Sequence, residues 1–166
     1  MFVTHDQEEA FEVADRVVVM HRGQIEQQGT PEEVFEHPAN AFVMDFLGNV
    51  NVFHGRVEGG RAMLGGIELP HGDYPHEEGS TVTAYVRPHE LEIDRIPRGP
   101  SSLKAEIVRI NPAGAAVKIE LFAKDFGIPV NVELARDRHA ELRLKPGEHV
   151  FVFPKRVRVF VQDYQI

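Results

Sequence analysis

Side chains able to do chemistry gather at two places in the 166-residue sequence. Near the start, Thr4-His5-Asp6 is followed by Glu8 and Glu9, an imidazole among carboxylates. Such a group suits general-base or metal-ligand chemistry. Acids in a first helical turn are also favoured by the helix dipole alone, and that plainer role is expected for Asp6, Glu8 and Glu9. Near the end, Arg136, Arg138, Arg143, Lys145, Lys155, Arg156 and Arg158 form a basic stretch that would suit an anion or a partner. Asp137, Glu141 and Glu148 are interspersed, so a solvated, charge-balanced barrel face is expected there. The nine histidines contain no HExxH and no pair at i, i+4; His71 and His76 lie five apart in a Gly/Pro-rich stretch, so no metal site is expected. Without cysteine there are no disulfides, thiolate zinc sites or cysteine nucleophiles.

The elements that must position these groups change character near residue 50. Met1 to Thr4 read as the tail of a strand. Thr4 and Gln7 have capping-box spacing for a helix in which Ala10, Val13, Ala14 and Val17 form an apolar stripe. Val17 to Met20 is a β-branched run, and Arg22-Gly23 suits a hairpin turn into Gln24-Ile25-Glu26. Thr30-Pro31-Glu32-Glu33 is the sharpest local signal: a cap, a proline at the first helical position and a glutamate that completes the box. His37-Pro38 stops that helix. Asn40 caps the next, with Phe42, Val43, Phe46 and Leu47 on one face as core and Gly48 at its end. Beyond about Asn51 no helix is expected. Val82/Ala84/Val86, Val117/Ile119/Leu121 and Val130/Val132/Leu134 alternate with polar residues, and residues 150–153 and 157–161 add two more strands. Phe151, Phe153 and Phe160 read as core. Many short antiparallel strands predict a mainly β protein, with a small OB-like barrel or a sandwich preceded by an α/β segment.

Charge divides at the same place. The chain has 18 Lys and Arg against 26 Asp and Glu, a formal charge of −8. Residues 1–50 hold 10 acidic and 2 basic side chains, whereas 51–166 hold 16 of each. Two domains, 1–50 and 51–166, are therefore expected. An acidic chain with little basic-aromatic interleaving argues against nucleic acid. A hydrophobic share of 42% suits a folded globular protein. No apolar run approaches bilayer length, and MFVTHDQEEA lacks the basic n-region of a signal peptide.

Val3 to Gly48 resembles the C-terminal end of the ATP-binding subunit of bacterial ABC importers. The resemblance rests on Thr4-His5-Asp6, Glu9-Ala10, Asp15-Arg16, a hydrophobic strand, Gly23, Gln27, Gly29 and Thr30-Pro31 in that order. The tail is similar to the transport-associated (TOBE-type) OB-fold domain that follows such ATPases. Within it, Gly48 to Gly55 (GNVNVFHG) and Tyr85 to Ile93 (YVRPHELEI) look most like the sulfate/thiosulfate importers. The resemblance implies that His5 is a switch histidine, donating to the γ-phosphate in the complete subunit. It also implies ATP and magnesium as cofactors, a homodimer, membrane-spanning permease subunits and, indirectly, a periplasmic anion-binding protein. The expected location is the cytoplasmic face of the bacterial inner membrane. No GxxxxGK[ST] loop, LSGGQ-type signature or hydrophobic strand ending in Asp-Glu is present, and in the family all three precede the histidine. The chain is therefore expected to be a C-terminal piece that neither binds nor hydrolyses ATP alone. The competing reading is a stand-alone β-barrel module that senses an anion or binds a protein, without an enzymatic role.

Overall fold

A computed structural model of the chain describes residues 3–4, 6–64, 67–69 and 77–161. It divides into two compact units, Met1–Asn49 and Val50–Ile166.

The first unit contains α1 (Gln7–Val13), β1 (Val17–His21), β2 (Gln24–Gly29), α2 (Pro31–Glu36) and α3 (Ala41–Phe46). Asp6, rather than Thr4, caps α1: its carboxylate accepts the Glu9 N–H at 3.1 Å, while the Thr4 hydroxyl accepts the Asp6 N–H at 2.9 Å. Aspartate is the stronger cap of the two. The Gln7 side chain, expected to complete a box with Thr4, donates instead to the Phe46 carbonyl. Arg22 and Gly23 both take positive φ, 47° and 79°, the backbone that lets a two-residue turn match the twist of β1 and β2. The Thr30 box forms as expected: Thr30 N–H donates to Glu33 Oε2 at 2.8 Å, and Glu33 N–H donates to the Thr30 hydroxyl at 3.2 Å. Asn40 accepts the Val43 N–H at 2.9 Å.

Helices of six or seven residues do not persist alone in water, so packing must hold them. Val17, Val19, Val34, Val43 and Leu47 supply it, with Phe11, Ala14 and Phe42 partly buried against them. Two expectations for this core need correction. Val13 is 71% exposed, so the α1 stripe does not bury as a whole, and Phe46 is 40% exposed although it shares its helix with buried Val43. The opposite face of the hairpin is apolar and open, with Val18, Met20 and Ile25 all exposed.

The second unit pairs its strands antiparallel. Its strands are β3 (Asn51–Glu58), β4 (Arg61–Leu64), β5 (Ile67–Glu68), β6 (Thr81–Val86), β7 (Leu91–Asp94), β8 (Leu103–Ala113), β9 (Ala116–Ala123), β10 (Ile128–Ala135), β11 (His149–Pro154) and β12 (Arg158–Val161). They form two five-stranded sheets, ordered β12-β6-β3-β4-β5 and β10-β9-β8-β11-β7. The outer strands of the second sheet, β7 and β10, also lie against each other, so that sheet curls toward a closed barrel of the OB type. The connections interlock the sheets: β7 follows the first sheet's strands but joins the second, and β12 returns to the first after β11.

One core fills the unit. Val82, Ala84, Val117, Ile119, Leu121, Val130 and Val132 are buried on the alternation expected from sequence. Each fully buried aliphatic side chain of this size contributes roughly 1.5–3 kcal/mol. The phenylalanines reverse their expected side. Val150 and Val152 are buried at 0% and 2%, which turns Phe151 and Phe153 to the outer face, half-buried. There the Arg98 guanidinium lies 5.4 Å from the centroid of the Phe153 ring. Phe160 likewise meets Tyr85 edge-on, with ring centroids 5.6 Å apart.

The expectation of no helix after Asn51 also fails. Residues Arg136–Leu142 form α4 and Pro88–Glu90 a single 3-10 turn. Seven residues carry too little periodicity to stand out, and α4 ends where Arg143 takes a left-handed φ of 48° and donates its N–H to His139.

Candidate functional site

The residue expected to carry chemistry, His5, lies outside the described residues, as do His71 and His76. Asp6 is engaged in capping, in keeping with the plainer reading of the early acids. Among the described residues no group of three His, Cys, Asp or Glu side chains is placed to hold a metal ion.

Three residues of the basic stretch form ion pairs, one with Glu141 as the sequence suggested and the others with Glu90 and Glu92, which it did not. Arg138 reaches Glu141 at 3.2 Å and Glu92 at 3.7 Å, and Lys155 reaches Glu92 at 3.0 Å. Arg158 is nearly enclosed rather than solvated. Its Nη1 donates to both oxygens of Glu90 at 2.8 Å, and the two side chains are 10% and 9% exposed.

Glu90 is a hub. Besides Arg158, its carboxylate accepts the Arg87 N–H at 3.1 Å, while its carbonyl accepts the Lys155 N–H at 2.7 Å. Three segments thus converge on one buried acid: the end of β6, the turn before β7 and the approach to β12. The turn is built by Arg87-Pro88-His89-Glu90, with proline first and glutamate third, the same design as Thr30 to Glu33. A sequence reading attentive to that repeated spacing would have found Glu90.

Asn51 is the second buried polar anchor, 4% exposed. Its amide nitrogen donates to the carbonyls of Asn131 at 2.8 Å and Val86 at 3.2 Å, and its oxygen accepts the Asn131 N–H at 2.7 Å. A side-chain amide here does the work of a strand, tying β3 of one sheet to the outer strand β10 of the other. It also satisfies backbone groups that an edge strand would leave open. Asn51→Ala is expected to lower stability by about 3 kcal/mol, since buried partners lose their bonds at a cost of ~1–3 kcal/mol each. Urea unfolding reads the change.

On the second sheet, Lys104, Glu106, Phe122, Lys124, Asp125 and His149 line a shallow open depression. Lys124 hydrogen-bonds Glu106 and holds its carboxyl below the ordinary 4.5, with His149 Nε2 at 3.7 Å adding to the effect. Burial raises Asp94 and Glu148, but arginine overcomes it in both: Arg98 and the Arg95 N–H lower Asp94, and the Arg95 side chain at 2.6 Å lowers Glu148. Carboxyls lowered in the folded state give stability that is full above their unfolded values, 4.5 for glutamate and 3.8 for aspartate. It is lost as pH falls through the lowered folded values. An acid titration followed by urea unfolding should therefore show stability flat near neutrality and falling below about pH 4.5.

Two interlocked five-stranded sheets of OB type are tied by a buried asparagine and a nearly enclosed ion pair, the architecture of transport-associated domains. Residues 51–93 match the CysA C-terminal regulatory domain, and residues 97–155 match the TOBE-like domain. The chain thus matches the C-terminal regulatory domain of sulfate/thiosulfate import ATP-binding proteins. It is 49% identical to the sulfate/thiosulfate import ATP-binding protein CysA of Nitrosomonas europaea over 99% of this chain and 46% of that protein. The corresponding protein of Bacillus cereus is 44% identical over 98% of this chain and 46% of its own length, and that of Methylococcus capsulatus 46% identical over 96% and 45%. The chain thus spans about half the length of the curated relatives it matches. Among solved structures, the cytoplasmic molybdate-binding protein ModG aligns with a TM-score of 0.55 and 21% identity, over 67% of this chain and 95% of ModG, a likeness of fold. Asn51, Arg87 and Glu90 sit inside the two segments, Gly48 to Gly55 and Tyr85 to Ile93, that carried the resemblance to the sulfate importers.

Proposed function

We propose that this chain is the C-terminal regulatory part of an ATP-binding subunit that drives sulfate or thiosulfate import. The observation that carries the reading is the match to CysA proteins across 99% of the chain, including the segment from Val3 to Gly48. The open apolar face of the first unit, Val18, Met20 and Ile25, supports it, because a two-stranded sheet gains its stability from what it packs against. In this reading residues 1–50 complete the nucleotide-binding domain, His5 meets the γ-phosphate there, and 51–166 is the regulatory domain. The working assembly is a homodimer on membrane-spanning permease subunits at the cytoplasmic face of the inner membrane, fed by a periplasmic anion-binding protein. Among the described residues no helix is long and apolar enough to cross a membrane, which is compatible with a peripheral role.

ATP and magnesium belong to the complete subunit. No glycine in the 166 residues is followed by lysine, so the sequence offers no phosphate-cradling loop. Isothermal titration of ATP-Mg into the chain should show no saturable heat; micromolar binding would overturn this division of labour.

A further inference from the structure

β12 closes the edge of β6 with four residues, led in by Val157, which is buried in the core. Its inward side chain, Val159, is only partly buried against the core, and Phe160 lies outside, edge-on to Tyr85. Arg158, paired in register with Tyr85, is nearly enclosed and makes two bonds to Glu90. Only Lys155, Arg156 and Val157 connect β12 to β11 in the other sheet. The strand also lies beyond residue 155, outside both matched family segments, although it completes the sheet of the first.

We propose that the β6 edge is a strand-acceptor site which the chain occupies with its own β12. The site takes an extended segment by backbone pairing, as sheet edges do. Its selectivity is a basic residue for Glu90, then an apolar residue facing the core, then an aromatic one for Tyr85. A partner protein presenting that pattern in extended form competes with β12, and the buried ion pair sets how hard the displacement is. Breaking the pair from the Arg158 side frees the strand without disturbing the remainder of the unit, because Arg158 leaves with it.

Hydrogen exchange read by mass spectrometry on the full chain tests this. In Arg158→Gln, exchange over residues 81–86 should rise about tenfold or more while 103–123 keeps wild-type protection, the signature of local opening. Adding the peptide Arg-Val-Arg-Val-Phe-Val, the sequence of residues 156–161, in excess should return 81–86 to slow exchange. The same peptide should fail on the double variant Glu90→Gln/Arg158→Gln. Unchanged exchange in Arg158→Gln, acceleration of both sheets together, or fast exchange that the peptide leaves untouched would each overturn the proposal.

Discussion

Replacing Glu90 by alanine is expected to cost the β-rich unit about 3–5 kcal/mol, the penalty for removing one partner of a buried ion pair. The loss exceeds that of an ordinary surface pair, worth ~0–1 kcal/mol, because both side chains are nearly enclosed. It also exceeds the loss of Arg158, since Glu90 serves the Arg87 N–H as well and anchors the turn into β7. Equilibrium unfolding in urea measures it, and the double replacement Glu90→Leu with Arg158→Met supplies the control. If the cost comes from an uncompensated buried charge, the double variant should recover most of the stability; if it comes from shape alone, it should not.

Gly55→Ala should be comparably severe for a different reason. A Cβ built on Gly55 would stand 2.2 Å from the Met63 carbonyl oxygen and 3.0 Å from its carbon, both backbone atoms of the neighbouring strand β4. No rotamer relieves a contact with backbone. β3 and β4 must separate or slip, at a cost of about 3 kcal/mol or more. By contrast, alanine at Gly59 meets nothing within 4 Å, although its φ of 59° still disfavours it. Thermal unfolding of the two variants side by side should therefore place Gly55→Ala well below Gly59→Ala.

Local signals that are self-contained were legible in the sequence. Thr30, Pro31 and Glu33 lie within four residues and make their bonds to one another, so nothing distant could alter them. The valine alternation of β6, β9 and β10 survived because each strand faces one core. What failed was decided by distant partners. Phe151 and Phe153 are as apolar as Val150 and Val152, and which pair turned inward depended on the register of β11 against β7 and β8. The bond from Asn51 to Asn131 spans 80 residues, and that from Arg158 to Glu90 spans 68, separations no window of sequence covers. Resemblance marked the segments holding Asn51, Arg87 and Glu90, and the structure supplies the physical reason: they carry the buried polar contacts that lock the sheets together.

The most direct test joins this chain to the N-terminal half of the Nitrosomonas europaea relative, in place of that protein's own matching half. Sulfate uptake is then measured in cells lacking their own importer ATPase. The expected result is ATP-dependent uptake comparable to that given by the unaltered relative, lost when His5 is replaced by alanine. A chimera that folds and accumulates yet supports no uptake would contradict the assignment of this chain to sulfate import.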